Sequence, residues 1–158
     1  MSKPEAPKVS PFKHKTPDES AGFLLWKITS LWQAKLALVL SEFKLTQTQY
    51  AILASLLWFE QHEEPTTQTH LGEHAKIEKM TLSKAVRNLE ELGLVSRVKA
   101  PSDSRAFHVC FTKEGRKVIF GAILAVEQVD DEFFSVLTEN QLESYKALTK
   151  AIIQDKTL

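Results

Sequence analysis

The sequence predicts a mainly α fold with one small β-hairpin, on three observations. Apolar residues recur at spacings of three and four over most of the chain, which is the helical period. Threonines stand where these stretches should begin, and Gly93 stands where one should end. A single pair of alternating runs, residues 94–98 and 107–111, flanks a turn containing Pro101, Ser102, Asp103 and Ser104. At 158 residues and 43% hydrophobic content, the chain is of a size to build one ordinary core.

Residues 1–15 carry Pro4, Pro7 and Pro11 among lysines, lack an apolar period, and are expected to form a flexible arm. Thr16-Pro17-Asp18-Glu19 has the form of a capping box with proline at the first helical position, which predicts a helix from there to about Phe43. Leu24, Ile28, Leu31, Leu36 and Val39 give its stripe, and Leu25, Trp26, Leu38 and Leu40 widen it beyond one face. Such a helix is expected to need a second partner surface. Thr46-Gln47-Thr48-Gln49 repeats the capping pattern and opens a helix that Glu63-Glu64-Pro65 stops. A short helix is expected at 68–75 with Thr67 as cap, then a turn near Lys76-Ile77 and a helix at 79–92. After the hairpin, Thr112 caps a long helix bearing Val118, Ile119, Ile123, Val126 and Phe133. Thr138-Glu139-Asn140-Gln141 caps the last one, whose stripe is Leu142, Tyr145, Leu148 and Ile152.

Cys110, the single cysteine, has no intramolecular partner for a disulfide, and no segment has the make-up of a secretory signal. The longest apolar run, residues 51–59, is well short of the roughly 20 residues that span a bilayer. These features predict a cytoplasmic protein with no membrane partner. The formal net charge is zero, yet the charges are segregated. Residues 1–75 hold 7 basic against 8 acidic side chains and residues 118–158 hold 3 against 7, whereas residues 76–117 hold 10 against 5. A solvated charged surface is the plain alternative, but a basic island between acidic flanks fits a polyanionic partner better.

Two short helices joined by a tight turn and followed by a hairpin make a winged helix-turn-helix, whose second helix can enter the major groove of double-stranded DNA. In residues 79–92, Leu82, Val86 and Leu89 recur at i, i+4 and i+7 and should pack inward. Lys79, Thr81, Ser83, Lys84, Arg87 and Asn88 are then available to face DNA. Lysine and arginine match guanine acceptors, asparagine matches adenine, and hydroxyls bond bases or phosphate. In the hairpin, Arg97, Lys99 and Arg105 can neutralise phosphates, Ser102 can bond them, and Arg105 at the tip suits a narrow minor groove. A carboxylate is repelled by phosphate, so Asp103 is expected to brace the wing by holding Arg97 or Arg105, or by bonding backbone amides of the turn, with an ordinary surface turn as the plain alternative.

The run Leu92-Gly93-Leu94-Val95-Ser96-Arg97, then Asp103-Ser104-Arg105, then Val109-Cys110-Phe111-Thr112-Lys113-Glu114-Gly115 resembles the MarR family (multiple antibiotic resistance regulators), whose pattern is G-L-[VI]-x-R, D-x-R and L-T-x-x-G. The likeness covers about residues 45–148, including the Leu137-Thr138-Glu139-Asn140-Gln141-Leu142 start of the last helix. The chain departs from the pattern at Ala75 and Lys76, where the family usually has leucine then glycine, and at Phe111, usually leucine. The resemblance implies a homodimer in which 16–45 is an N-terminal dimerisation helix, 46–112 the winged DNA-binding domain, and 113–158 a linking helix plus a C-terminal dimerisation helix. It further implies a transcriptional regulator, usually a repressor on a pseudo-palindromic operator, released in many members by a small aromatic or anionic effector. Trp26, Trp32 and Tyr50 are candidate walls of such a ligand pocket, with core packing as their competing use.

His70-Leu71-Gly72-Glu73-His74 matches H-x-x-E-H, a spacing that puts two imidazoles on one helical face as zinc hydrolases do. It falls on the first helix of the helix-turn-helix and no third ligand stands out, so the expectation is no metal. A metal-responsive regulator using His70 and His74 is one alternative, and a winged helix used for protein contacts is another. The sequence has no P-loop, no dinucleotide glycine pattern and no nucleophile elbow, so neither enzymatic activity nor a cofactor is expected.

Overall fold

The computed structural model describes the backbone of residues 2, 4–5, 9–100 and 103–157, and their side chains except at 100 and 103–105. Its helices are α1 (Ala21–Ser41), α2 (Gln47–Gln61), α3 (Gln68–Ala75), α4 (Lys79–Glu91), α5 (Lys113–Phe134) and α6 (Glu139–Lys156), and its strands are β1 (Val95–Ala100) and β2 (Asp103–Phe111). This is the expected order: a mainly helical chain with one antiparallel hairpin. Two compact units are distinguished, Met1–Ala34 and Lys35–Leu158.

In the first unit the expected helix start is displaced. Pro17–Glu19 forms a 3-10 turn, and the Thr16 side chain caps nothing. The Glu19 carboxylate that should have closed a box on Thr16 instead accepts from the Lys15 N–H at 3.0 Å. Asp18 is held by Lys27 at 2.8 Å. Ser20 takes over as cap: it is extended, its hydroxyl accepts from the Phe23 N–H at 3.3 Å, and α1 begins one residue later.

In the second unit, Leu40, Ile52, Leu53, Leu56, Phe59, Leu71, Val86, Leu89, Val109 and Ile119 are fully enclosed, drawing on helices α1 to α5 and on β2. Thr46, Thr67, Thr112 and Thr138 each accept from the backbone N–H three residues on, and the Thr46–Gln49 and Thr138–Gln141 capping boxes close. Four helices also end alike. Lys44, Glu63, Lys76 and Gly93 are left-handed, with φ of 56°, 54°, 55° and 74°. The N–H of the next residue reaches back five positions, from Leu45 to Leu40, Glu64 to Phe59, Ile77 to Gly72 and Leu94 to Leu89. Lys76, the sequence's departure from the family pattern, thus adopts the backbone that a glycine would take without steric penalty.

The hairpin pairs Val95 with Phe111 through Lys99 with Phe107, then shifts register before Ala100 meets Asp103. Its base is closed by Thr112, whose N–H donates to the Leu94 carbonyl at 3.1 Å and whose hydroxyl donates to the Gly93 carbonyl at 2.6 Å. The same hydroxyl caps the Gly115 N–H. A Cβ at Gly115 would lie 1.8 Å from the Leu94 carbonyl oxygen, so only glycine admits this approach. The outer edge of β2 is tied to the segment before α3: the Val109 N–H donates to the Thr66 carbonyl at 2.9 Å, and Thr67 bridges to His108.

Two helices carry apolar surface that the chain itself leaves uncovered. On α1, Leu25, Trp26, Leu31 and Leu38 are exposed; on α6, where no residue is buried, Leu148, Ile152 and Ile153 are. Among the described residues, α1 is the one helix long and apolar enough to cross a membrane by length and composition, with a mean hydropathy of 1.3. Lys27 and Lys35 interrupt its apolar run while leaving its average high.

Gly115→Ala is expected to destabilise the fold by about 3 kcal/mol, since backbone rather than a flexible side chain must yield; chemical denaturation would show it, and a loss below about 0.5 kcal/mol would refute the close approach. Lys76→Gly is expected to stabilise by about 0.5–1 kcal/mol in the same assay, because glycine removes the left-handed penalty.

Candidate nucleic-acid interface

Helix α4 is two-sided. Leu82, Ala85, Val86 and Leu89 are buried, while Lys79, Thr81, Lys84, Arg87 and Asn88 are exposed and Ser83 is half-buried. Six of the expected DNA-facing residues therefore share one helix, and Met80, Thr81, Ser83, Lys84, Arg87, Asn88 and Glu91 line one shallow concavity on it. Lys79, Lys84, Arg87 and, on β1, Lys99 are exposed cations that form no ion pair with another described side chain. Ser102 lies outside the described residues, as do the side chains of Asp103 and Arg105 at the start of β2.

Arg97 is held by a partner that no motif names, while the side chain of Asp103, the expected brace, lies outside the described residues. The Arg97 Nε donates to the Glu90 carboxylate on α4 at 2.9 Å, and its guanidinium lies 5.2 Å from the centre of the Phe107 ring. One cation thereby joins the end of α4 to both hairpin strands, and is drawn away from phosphate duty. Glu90 and Phe107 carry no motif; their use follows only from the fold.

The start of α4 is held by Glu78. Its carboxylate accepts from the backbone N–H groups of Met80 at 3.0 Å and Thr81 at 3.1 Å, and the Thr81 hydroxyl also points at it, 3.4 Å away. The Met80 amide, then the Thr81 amide, hold the Glu78 carboxyl below the ordinary carboxylate range. A helix start of this kind commonly receives a phosphate; here a side chain of the chain itself already fills it.

The family described as "Transcriptional regulator SarA/Rot" matches residues 35–121. An uncharacterised HTH-type transcriptional regulator of Bacillus subtilis, YdcH, is 36% identical over 140 residues, covering 87% of this chain and 95% of the relative. The chain belongs to the MarR-type winged-helix transcriptional regulators. Two solved structures share the fold. A Staphylococcus aureus MepR–DNA complex has a TM-score of 0.78 at 23% identity, covering 86% of this chain and 97% of MepR. CouR of Rhodococcus jostii, bound to p-coumaroyl-CoA, has a TM-score of 0.77 at 22% identity, covering 88% and 95%. As a MarR-type regulator the chain is a DNA-binding protein, and its relatives are regulators rather than enzymes.

The remaining sequence candidates separate. Tyr50 is half-buried and lines a groove between α2 and α5 with Leu57, Trp58, Phe120, Leu124 and Glu127. Burial first, then the charges of Glu127 and Asp130, push its hydroxyl up to about 12. Trp26, at 71% exposure, and the half-buried Trp32 belong to the Met1–Ala34 unit. Trp58 and Phe120, which the sequence reading passed over, supply the aromatic faces around Tyr50. His70 and His74 both pack on Phe59, with ring centres at 4.5 and 4.9 Å. His70 reaches Glu64 at 3.3 Å and His74 reaches the Ser55 hydroxyl at 3.0 Å. The H-x-x-E-H spacing therefore docks α3 on α2, and among the described residues no cluster of three metal-ligating side chains forms. The departure at Phe111 has a use of its own: its ring lies 5.1 Å beneath the Arg116 guanidinium, which is paired with Glu60 at 2.8 Å.

Because the Glu78 pKa is lowered in the folded protein, its cap contributes stability above the unfolded carboxylate value, and that stability is lost as pH falls through the folded value. Glu78→Gln is expected to flatten this acid limb in a titration of unfolding free energy against pH; an unchanged limb would refute the cap's charge dependence.

Proposed function

We propose that this regulator represses transcription by binding a pseudo-palindromic operator as a homodimer, with α4 in the major groove and the wing on the adjacent backbone. The carrying observation is the two-sided α4, whose exposed lysines, arginine, serine and asparagine stand over a buried apolar row. Lys79, Thr81, Ser83, Lys84, Arg87 and Asn88 would read bases and phosphates. Lys99, Ser102 and Arg105 would follow the backbone, with Arg105 in the minor groove, and Asp103 would steady the wing tip alongside the Arg97–Glu90 brace. MepR, which shares the fold, has been solved on DNA.

The homodimer reading is supported by the uncovered apolar surface of α1 and α6, in segments 16–45 and 113–158. A second copy would cover it, leaving two winged domains, 46–112, related by two-fold symmetry. Half-sites are then expected about 10 base pairs apart, centre to centre. Release by a small aromatic ligand belongs to the same proposal, with Tyr50 in its groove, and with Trp26 and Trp32 carried from the sequence alone. CouR, of the same fold, holds a ligand with an aromatic acyl group. A ligand acts only by favouring a conformer whose recognition helices are wrongly spaced.

Selection from random duplexes is expected to return a palindrome with that spacing. Arg87→Ala and Arg105→Ala should each weaken binding to the selected site by roughly ten-fold or more, with the dimer unchanged in sedimentation. Parental affinity in both variants, or selected sites without two-fold symmetry, would overturn the proposal.

A further inference from the structure

The first turn of α4 is chemically unlike the rest of its exposed face. From Ser83 to Glu91 that face is polar or charged, but its second residue is Met80, 79% exposed and lining the same concavity as Lys84, Arg87 and Asn88. At that exposure the methionine lies outside the buried core, and its thioether is the apolar element among the polar side chains lining the concavity. Beside it, the Thr81 hydroxyl is directed to the Glu78 carboxylate. The two amides at this turn, of Met80 and Thr81, are likewise occupied by Glu78. A recognition helix places its N-terminal residues against base edges. Here that turn has a carboxylate where a phosphate would otherwise be bound, and an apolar side chain projecting past it.

We infer that Met80 is a specificity-determining residue that reads the 5-methyl group of a thymine in each half-site. Thymine is the one base that presents an apolar group in the major groove, and an unbranched, polarisable side chain can lie against it without a hydrogen bond. Glu78 makes the selection sharper, because it already occupies the Met80 and Thr81 amides that could otherwise bind a phosphate. The inference rests on the proposed placement of α4 in the major groove and adds to it the base class that its first turn selects.

The test replaces each thymine of the selected operator in turn by uracil, which removes only the methyl group, and measures binding of the full-length protein. One symmetry-related thymine position is expected to lose about four-fold in affinity per substitution, the worth of one buried methyl. Met80→Ala, at an exposed position that leaves the melting temperature unchanged, should bind thymine and uracil versions of that site equally, while Met80→Leu should keep the preference. If no thymine is sensitive in the parent protein, or if the sensitivity persists in Met80→Ala, the inference fails even though Arg87-dependent binding to the operator remains. Arg87-independent binding would instead remove the placement of α4 on which it rests, and the inference with it.

Discussion

The wing is aimed by one backbone contact, the seating of the Leu94 carbonyl against Gly115. β1 begins at the residue after Leu94 and β2 ends at the residue before Thr112, so the contact joins both roots of the hairpin to the first turn of α5. Thr112 completes it by donating from its N–H to Leu94 and from its hydroxyl to Gly93, while the same oxygen caps Gly115. A two-stranded hairpin has little stability of its own. This one is held at its base by Thr112, along one edge by Thr66 and Thr67, and on its face by Arg97. The family glycine in L-T-x-x-G is thereby explained by distance, since any side chain would push the wing off α5.

The helix ends obey a similar economy with less ideal residues. All four left-handed ends carry the same five-back hydrogen bond, but only the last uses glycine. Lys44, Glu63 and Lys76 each accept a conformation that costs an L-residue about 1 kcal/mol, and they do so because the turn following each helix must reverse within one residue. At Lys76 the reversal sets the angle between α3 and α4, the two helices of the DNA-binding motif. A lysine there carries the left-handed strain that a glycine would avoid.

How much of this was legible in the sequence follows the range of the interactions. Thr46, Thr67, Thr112 and Thr138 are read correctly because a capping bond spans three residues and leaves a local pattern. Thr16 shows the same pattern and misleads, because the Glu19 carboxylate accepts from the Lys15 amide instead and the Ser20 hydroxyl caps α1. The buried row of α4 is legible from periodicity alone. The pairing of Arg97 with Glu90 is not, because the two meet only once the Gly93 turn has folded the strand back. The histidine pair looks like a ligand set in one dimension and becomes a clamp on Phe59 in three.

The same distinction accounts for a neutral chain that binds a polyanion. Residues 76–117 hold five acidic side chains against ten basic ones, which by count alone weakens the field at α4. Two of those acids are already engaged inside the protein: Glu78 on the amides of its own helix and Glu90 on Arg97. Neither spends its charge opposing a phosphate at the centre of the face, and Arg97 is withdrawn together with its partner. The charges left facing outward on α4 are Lys79, Lys84 and Arg87, with Glu91 at the far end. Electrostatic attraction falls off within about 10 Å at ordinary salt. The charge summed over the whole chain therefore says little about the local field at the exposed face of α4, where these cations lie.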